Sequence, residues 1–571
     1  MIRVLVMLSF LLVCWCRGLT QVNRFDVLIT EIMADPSPAV GLPNAEYVEI
    51  RNHSLQPVNL LGWKLGDGSS SATITTNIIL AADSFLVLCS NTSVAALSAY
   101  GRALGISSFP SLDNNSDQLS IRSQSGIVIH AVAYDVGWYD NAVKQEGGWS
   151  LEMIDMKNPC SGKSNWKAST DAKGGTPGKR NSVEGINPDL QPPGLIRTYT
   201  IDSVTIVAMF DESLDSNSAG VISNYKLEGM TIAGAFPQAP KFQAVKLSLT
   251  QPLLKRKIYA LTANFIKDCS GNTIAAFNNA RAGFHEPVQA PDLVINEILF
   301  NPKPGGFDFI ELYNNSTKIL DASSVYIANR NSTGIISSLK QLSESPFLVF
   351  PGDHIVVTED PLSLNMDYLV REPENVLSLS SMPSFPDDKG IVVVCNSTGD
   401  LLDELNYDED WHFALIDNKE GISLERLDPG AATGNRNNWH SASFTSGYGT
   451  PTSRNSQYKS NEIINGMIYV DPKTFSPDND GINDVATISY NLSEPGYVAN
   501  VNIFDAHGRC IRRISRNDLL GLHGKWNWDG LDDKGAKLAT GIYIIYTELF
   551  NLQGKQKVFK NSILLARRSP P

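Results

Sequence analysis

The sequence predicts an all-β chain of tandem immunoglobulin-like β-sandwiches, and three observations carry that expectation. Short runs rich in Val, Ile, Leu and Tyr recur between clusters of Gly, Asn, Asp, Ser and Pro. No long apolar stripe of 3.6-residue period with capping residues is present. A block of domain size, finally, occurs twice. With 571 residues the chain exceeds what one hydrophobic core can hold, so several domains are expected. Its 60 acidic against 47 basic residues, a formal charge of −13, argue against nucleic acid as a principal partner, because neutralising phosphates requires clustered Lys and Arg.

From the N-terminus, Met1-Ile2-Arg3 precedes an apolar run from Val4 to Cys16 and then Arg17-Gly18-Leu19. The run is shorter than the roughly 20 residues that span a bilayer, and its flanks fit a signal peptide over residues 1–20, hence export. Cys14 and Cys16 follow no small-residue box, so lipidation is not expected. The remaining cysteines, Cys89, Cys160, Cys269, Cys395 and Cys510, are odd in number and scattered, which predicts no disulfide framework; only Cys89 and Cys160 share a domain. Cys89 and Cys395 sit in strand-like runs and read as small buried hydrophobes.

The duplicated block covers residues 26–183 and 291–457. Val27-Leu28-Ile29-Thr30-Glu31-Ile32 and Glu46-Tyr47-Val48-Glu49-Ile50-Arg51-Asn52 return as Leu293-Val294-Ile295-Asn296-Glu297-Ile298 and Asp308-Phe309-Ile310-Glu311-Leu312-Tyr313-Asn314, offset by 266 at the first glutamate and 262 at the second. Gly148-Trp149-Ser150-Leu151-Glu152 and Trp166 match Gly421-Ile422-Ser423-Leu424-Glu425 and Trp439 at 273, and Gly175-Thr176-Pro177 matches Gly449-Thr450-Pro451 at 274. Glu31 is therefore expected over Glu297, and Trp166 over Trp439. Within the first copy, 93–104 reads as a helical excursion. On these motifs and on Gly62-Trp63-Lys64-Leu65, both blocks resemble the lamin-tail domain, an immunoglobulin-like sandwich; the second has Ser324-Val325-Tyr326-Ile327 where the Gly-Trp pair stands in the first.

Asn187-Pro188-Asp189-Leu190-Gln191-Pro192-Pro193-Gly194 is too proline-rich for a central strand and marks a boundary. A domain over 190–287 follows, with Val204-Thr205-Ile206-Val207-Ala208-Met209-Phe210, Tyr259-Ala260-Leu261-Thr262 and Asp268-Cys269-Ser270-Gly271-Asn272. It resembles the Ig-like modules of bacterial surface-layer proteins. Residues 447–460 read as a polar linker crossed by few contacts. Beyond them, 467–571 holds Phe475-Ser476-Pro477-Asp478-Asn479-Asp480-Gly481-Ile482-Asn483-Asp484, Trp526-Asn527-Trp528-Asp529-Gly530 and Thr540-Gly541-Ile542-Tyr543. This pattern resembles the gliding-motility-type C-terminal sorting domain of Bacteroidetes. The resemblance implies passage through the type IX system, with secretion machinery as a partner.

For chemistry, the duplicated glutamates are the first catalytic suspects, since paired carboxylates can serve as acid and base. Strict alternation places Glu31 with Val27 and Ile29, and Glu49 with Tyr47 and Arg51, which does not demonstrate that they converge. A fold requirement, such as satisfying a buried backbone group, accounts for the recurrence equally. The eight histidines form no His-Glu-x-x-His pair, and Gly162-Lys163-Ser164 lacks the first glycine of a phosphate loop. Asp478, Asp480, Asn483 and Asp484 crowd oxygen ligands into a glycine-containing loop that suits Ca²⁺, although the spacing departs from the EF-hand and such turns also close without metal. No other cofactor is expected. The reading is a non-enzymatic, secreted or cell-surface protein of adhesion or envelope interactions, with an envelope or extracellular protein or glycan as partner. The alternatives are a secreted nuclease or glycosidase bearing lamin-tail modules, and a carbohydrate binder using Trp138, Tyr139 and Trp149.

Overall fold

The structure, a computed structural model, describes residues 22–459 and 467–567; the expected signal peptide, with Cys14 and Cys16, lies outside them. Strands dominate, and the architecture is a set of immunoglobulin-like β-sandwiches. The chain divides into two compact units. One comprises the chain up to Arg197 with Val204–Gln251 and Ala260–Arg281, and the other comprises Thr198–Ser203, Pro252–Tyr259 and everything from Ala282 onward.

In the first unit, a six-stranded sheet runs in the order Trp166–Ala168, Leu151–Met153, Val27–Met33, Tyr47–Asn52, Phe85–Ser90, Ala103–Ile106. A four-stranded sheet, Val128–Asp135, Ser116–Arg122, Lys64–Gly66, Ser71–Thr73, covers its inner face. Ile32, Ile50, Trp63, Leu65, Ile121 and Ile129 fill the space between, all nearly inaccessible to water. Removing such side chains from water is the main favourable contribution to the fold, about 1.5–3 kcal/mol for each large one. The helical excursion is confined to Val94–Leu97, because by Ala103 the chain has begun a strand parallel to Phe85–Ser90. Cys89 is buried and free as expected. Later in the unit, Thr205–Phe210 and Ile232–Pro237 pair on either side of Ala244–Leu249, and Tyr225–Leu227 pairs with residues 261–263.

The expectation about disulfides needs correction. Cys160 is bonded to Cys269, 109 residues further on, with their Cα atoms 6.3 Å apart. Counting cysteines domain by domain hides a bridge of this kind, which closes a long loop and so removes much entropy from the unfolded chain.

The second unit opens with a sandwich built like the first. Its six-stranded sheet runs Trp439–Ser441, Leu424–Arg426, Leu293–Leu299, Phe309–Asn314, His354–Thr358, Val376–Ser378, and its four-stranded sheet runs Leu401–Asp408, Lys389–Asn396, Val325–Arg330, Ile336–Gln341. Registers agree as well. Glu31 is opposite Glu49 and Glu152, and Glu297 is opposite Glu311 and Glu425. Trp166 pairs with Met153 and Trp439 with Arg426. Both opening strands carry a bulge, between Ile29 and Glu31 and between Ile295 and Glu297.

Each bulge leaves a backbone N–H needing an acceptor, and the copies solve this differently. Ile29 N–H donates to His130 Nδ1 at 3.0 Å, while Ile295 N–H donates to Asp403 Oδ2 at 2.8 Å. Burial holds His130 in its neutral form, its pKa lowered to about 4. Asp403 brings a charge instead, and Arg426 answers it at 3.5 Å where the first copy has Met153. Changing one partner without the other would bury an unpaired charge.

The C-terminal part pairs Met467–Asp471, Ala486–Asn491 and His523–Trp528 in one sheet, and Thr474–Phe475, Gln556–Leu565, Gly541–Asn551, Tyr497–Phe504 and Cys510–Leu519 in another. Trp526 and Trp528 point to one buried face, where Trp528 meets Phe475 and Tyr543. The expected linker over 447–460 is not one across its described residues, 447–459. Leu522 N–H donates to Ser456 O at 2.9 Å, Gln457 Nε2 to Leu520 O at 3.1 Å, and Thr445 and Tyr490 share a 2.6 Å hydroxyl contact. Phe413 packs with Val498 and Leu519. The second sandwich and the C-terminal part thus share a packed, hydrogen-bonded boundary.

Candidate functional site

The bulge decides what the glutamates do. One extra residue in the opening strand reverses its alternation, so Ile29 and Ile32 face the core while Glu31 turns to the outer face beside Glu49. The two carboxylates, whose convergence alternation alone did not demonstrate, therefore meet. A third, Glu152, joins them from the neighbouring strand, and Glu297, Glu311 and Glu425 repeat the trio. All six are fully buried.

What buries them is the chain that follows the last strand of each sandwich, laid across the outer face of the sheet. In the first copy Thr176 N–H donates to Glu31 Oε1 at 2.7 Å, Gly178 N–H to Glu49 Oε2 at 2.6 Å, and Val183 N–H to Glu152 Oε2 at 3.2 Å. In the second, Thr450, Thr452 and Gln457 N–H donate to Glu297, Glu311 and Glu425 at 2.9, 2.7 and 2.8 Å. Neither strap forms a strand, so its backbone donors have no ladder to join; the carboxylates supply the missing acceptors. Side chains complete the set: Tyr47 and Ser150 hydroxyls donate to Glu31, Ser182 to Glu152, and Thr30 to Glu49. The Gly-Thr-Pro motif now has a physical meaning. A Cβ on Gly175 would lie 2.6 Å from Glu31 Oε1, so only glycine lets the strap come this close. Thr450 Oγ1, next in the motif, stands 3.0 Å from Glu297 Oε2 and 2.9 Å from Glu425 Oε1.

That last contact requires a proton. A hydroxyl donates once, so its second short contact to a carboxyl oxygen is favourable only if that carboxyl is protonated and donates in return. Electrostatics agree. Burial, then the neighbouring carboxylates, push Glu31 up to about 7 and Glu297 up to about 8, against the hydrogen bonds that favour ionisation. Burial also raises Glu49 and Glu311. Folded-state values above the unfolded value of 4.5 mean the native chain holds protons the unfolded chain has shed. Their contribution is complete below about pH 4.5 and is lost as pH rises through 7 to 8, at up to about 1.4 kcal/mol per pH unit for each proton. Calorimetry should therefore show unfolding midpoints that fall from about pH 6.5 to 8, above the range in which buried histidines such as His130 act with the opposite sign, and level off beyond; a midpoint rising over that range would contradict the shared protons.

The other sequence-derived candidates are placed as follows. Asp478, Asp480 and Asp484 bring carboxylate oxygens within 4.8 Å of one another. Asp484 already accepts from the N–H groups of Asp478, Asn479 and Gly481 at 3.0, 2.7 and 2.8 Å, and the Asn483 carbonyl accepts from Ser476 N–H. A cation there would share Asp484 with those donors. Tyr139 is buried, its hydroxyl donating to Trp149 O at 3.1 Å, and Trp149 packs on the core with Lys144 over its ring. Of the three aromatics, Trp138 lines a cavity. A second carboxylate group, Asp189, Glu212 and Asp268, was not legible because its members are far apart in sequence. Burial followed by Asp189, Asp268 and Asp211 pushes Glu212 up to about 8.

A lamin tail domain model matches residues 21–135, and a CHU_C type IX secretion signal domain model matches residues 469–565. No curated protein matches. Among solved structures, FlgD from P. aeruginosa is 23% identical over 14% of this chain and 62% of its own, with a TM-score of 0.13. The N-terminal part of the bacterial S-layer protein SbsC is 12% identical over 38% of this chain and 44% of its own, at 0.16. The chain thus spans less than two thirds of either, and scores this low carry no weight for function. The C-terminal signal marks the protein for export to the cell surface or extracellular space. No helix among the described residues is long and apolar enough to cross a membrane.

Proposed function

We propose that the chain is a non-enzymatic protein of the surface of a Bacteroidetes-type bacterium, acting in adhesion or envelope interactions. Two lamin-tail-like modules, 26–183 and 291–457, are spaced by an Ig-like module over 190–287 and delivered by the sorting domain over 467–571. One observation carries this reading: the glutamates, the leading catalytic suspects, are consumed in both copies as acceptors for the straps. A carboxylate already holding two or three donors in a sealed site is poorly placed to exchange protons with a substrate. The test compares attachment of cells carrying and lacking the protein, alongside assays of the purified chain on nucleic acid, polysaccharide and ester substrates. Attachment should drop without the protein, and no turnover should be seen. Turnover abolished by Glu31→Gln or Glu49→Gln would instead establish the hydrolase reading.

A further inference from the structure

The first unit holds a cavity of about 400 Å³, within the range of small-ligand sites. Its walls combine aromatic and polar groups. Trp138 lines the cavity, half-buried, and leans on buried Trp166 with ring centroids 6.3 Å apart. Arg24, which also lines it, is sandwiched between Phe25 and Phe242 at 4.5 and 4.2 Å. Its terminal nitrogens are fixed on Leu214 O and Ser213 Oγ, both at 2.8 Å, which anchors this wall of the cavity. Lys241 and Gln243 add donors, and Asp211 and Glu212 add acceptors.

The site is also held rigid. Cys160 and Ser161 line it, and Cys160 is bonded to Cys269 while Ser161 donates to Asp189 at 2.8 Å. Preorganised walls spare a ligand the entropy of ordering them. Donors and acceptors of both signs beside an aromatic face suit a ligand that has many hydroxyls, each able to donate and accept, and an apolar C–H face to lie on the ring. An inorganic anion would leave the aromatic wall and the carboxylates without partners, and an apolar ligand would leave the charged groups unsatisfied.

We propose that this cleft binds a saccharide unit, stacked on Trp138 and hydrogen-bonded by Lys241, Gln243 and Glu212. The proposal is independent of the attachment role, since it is read on the purified chain. The full chain is titrated with chitotetraose, mannotetraose and tetragalacturonate while tryptophan fluorescence is followed. At least one should shift the emission saturably. Trp138→Ala should weaken that binding by about tenfold or more, and Lys241→Ala should weaken it measurably without altering the melting curve. Trp149→Phe, away from the cleft, should bind as the native chain does. Absence of a saturable shift with all three sugars, or native affinity in Lys241→Ala and Trp138→Ala alike, overturns the proposal; if Trp138→Ala does not fold, Lys241→Ala alone decides.

Discussion

A chain lacking residues 467–571 is expected to accumulate in the periplasm and to be absent from the cell surface, because the matched secretion signal lies within 469–565. The deletion should also destabilise what it leaves behind. Phe413, only 7% exposed beside Val498 and Leu519, would lose its cover, and Gln457 and Thr445 would lose their partners Leu520 and Tyr490. Exposing a large aromatic side chain costs about 1.5–3 kcal/mol and each buried hydrogen bond about 1 kcal/mol, so roughly 3–5 kcal/mol is expected from the second sandwich. Fractionation reads the first effect and calorimetry the second. Strands of the first unit should keep their melting transition, since neither Phe413 nor Gln457 belongs to it. Surface display of the truncated chain would place the export determinant elsewhere. An unchanged second-unit transition would show that the boundary contributes little.

That outcome differs from what the sequence alone predicts, and the reason is physical. Ser456 and Gln457 are polar and sit in a stretch rich in turn residues, so they read as linker; in the folded chain they are 6% and 0% exposed because Glu425 accepts from both. Polarity signals solvent only when no buried partner waits, and the partner was itself a buried carboxylate. The all-β class and the repeat were legible because strand runs and matched offsets are local properties of sequence. The convergence of Glu31 with Glu49 was not, since a single bulge residue inverts every face assignment after it. The break was visible in principle: Ile29 and Ile32 stand three apart in a strand whose core positions should be two apart. Glu152 was within the matched Ser-Leu-Glu motif, but nothing local shows that its strand lies beside Val27–Met33. The Cys160–Cys269 bridge escaped for the same reason, as it pairs residues from different predicted domains.

If the trios are clamps, their removal should be among the most destabilising single changes in either sandwich, and its chemistry should be separable from its charge. Glu31→Ala leaves the Tyr47 hydroxyl, the Ser150 hydroxyl and Thr176 N–H without their acceptor in a site that water does not reach. Each buried donor so orphaned costs about 1–3 kcal/mol, and the vacated volume adds to it, giving roughly 4–6 kcal/mol. Glu31→Gln keeps a carbonyl oxygen for the same three donors and mimics the protonated carboxyl that burial favours. It should therefore cost much less than Glu31→Ala at neutral pH, and it should flatten the fall in melting midpoint between about pH 6.5 and 8. Protease susceptibility of the strap at 174–187 gives an independent reading, rising in Glu31→Ala and staying near native in Glu31→Gln. Equal losses in the two variants would mean that an ionised carboxylate, rather than an uncharged acceptor, holds the strap. A negligible loss in Glu31→Ala would mean that Glu49 and Glu152 suffice, and that the recurrence of the first glutamate in both sandwiches has another cause.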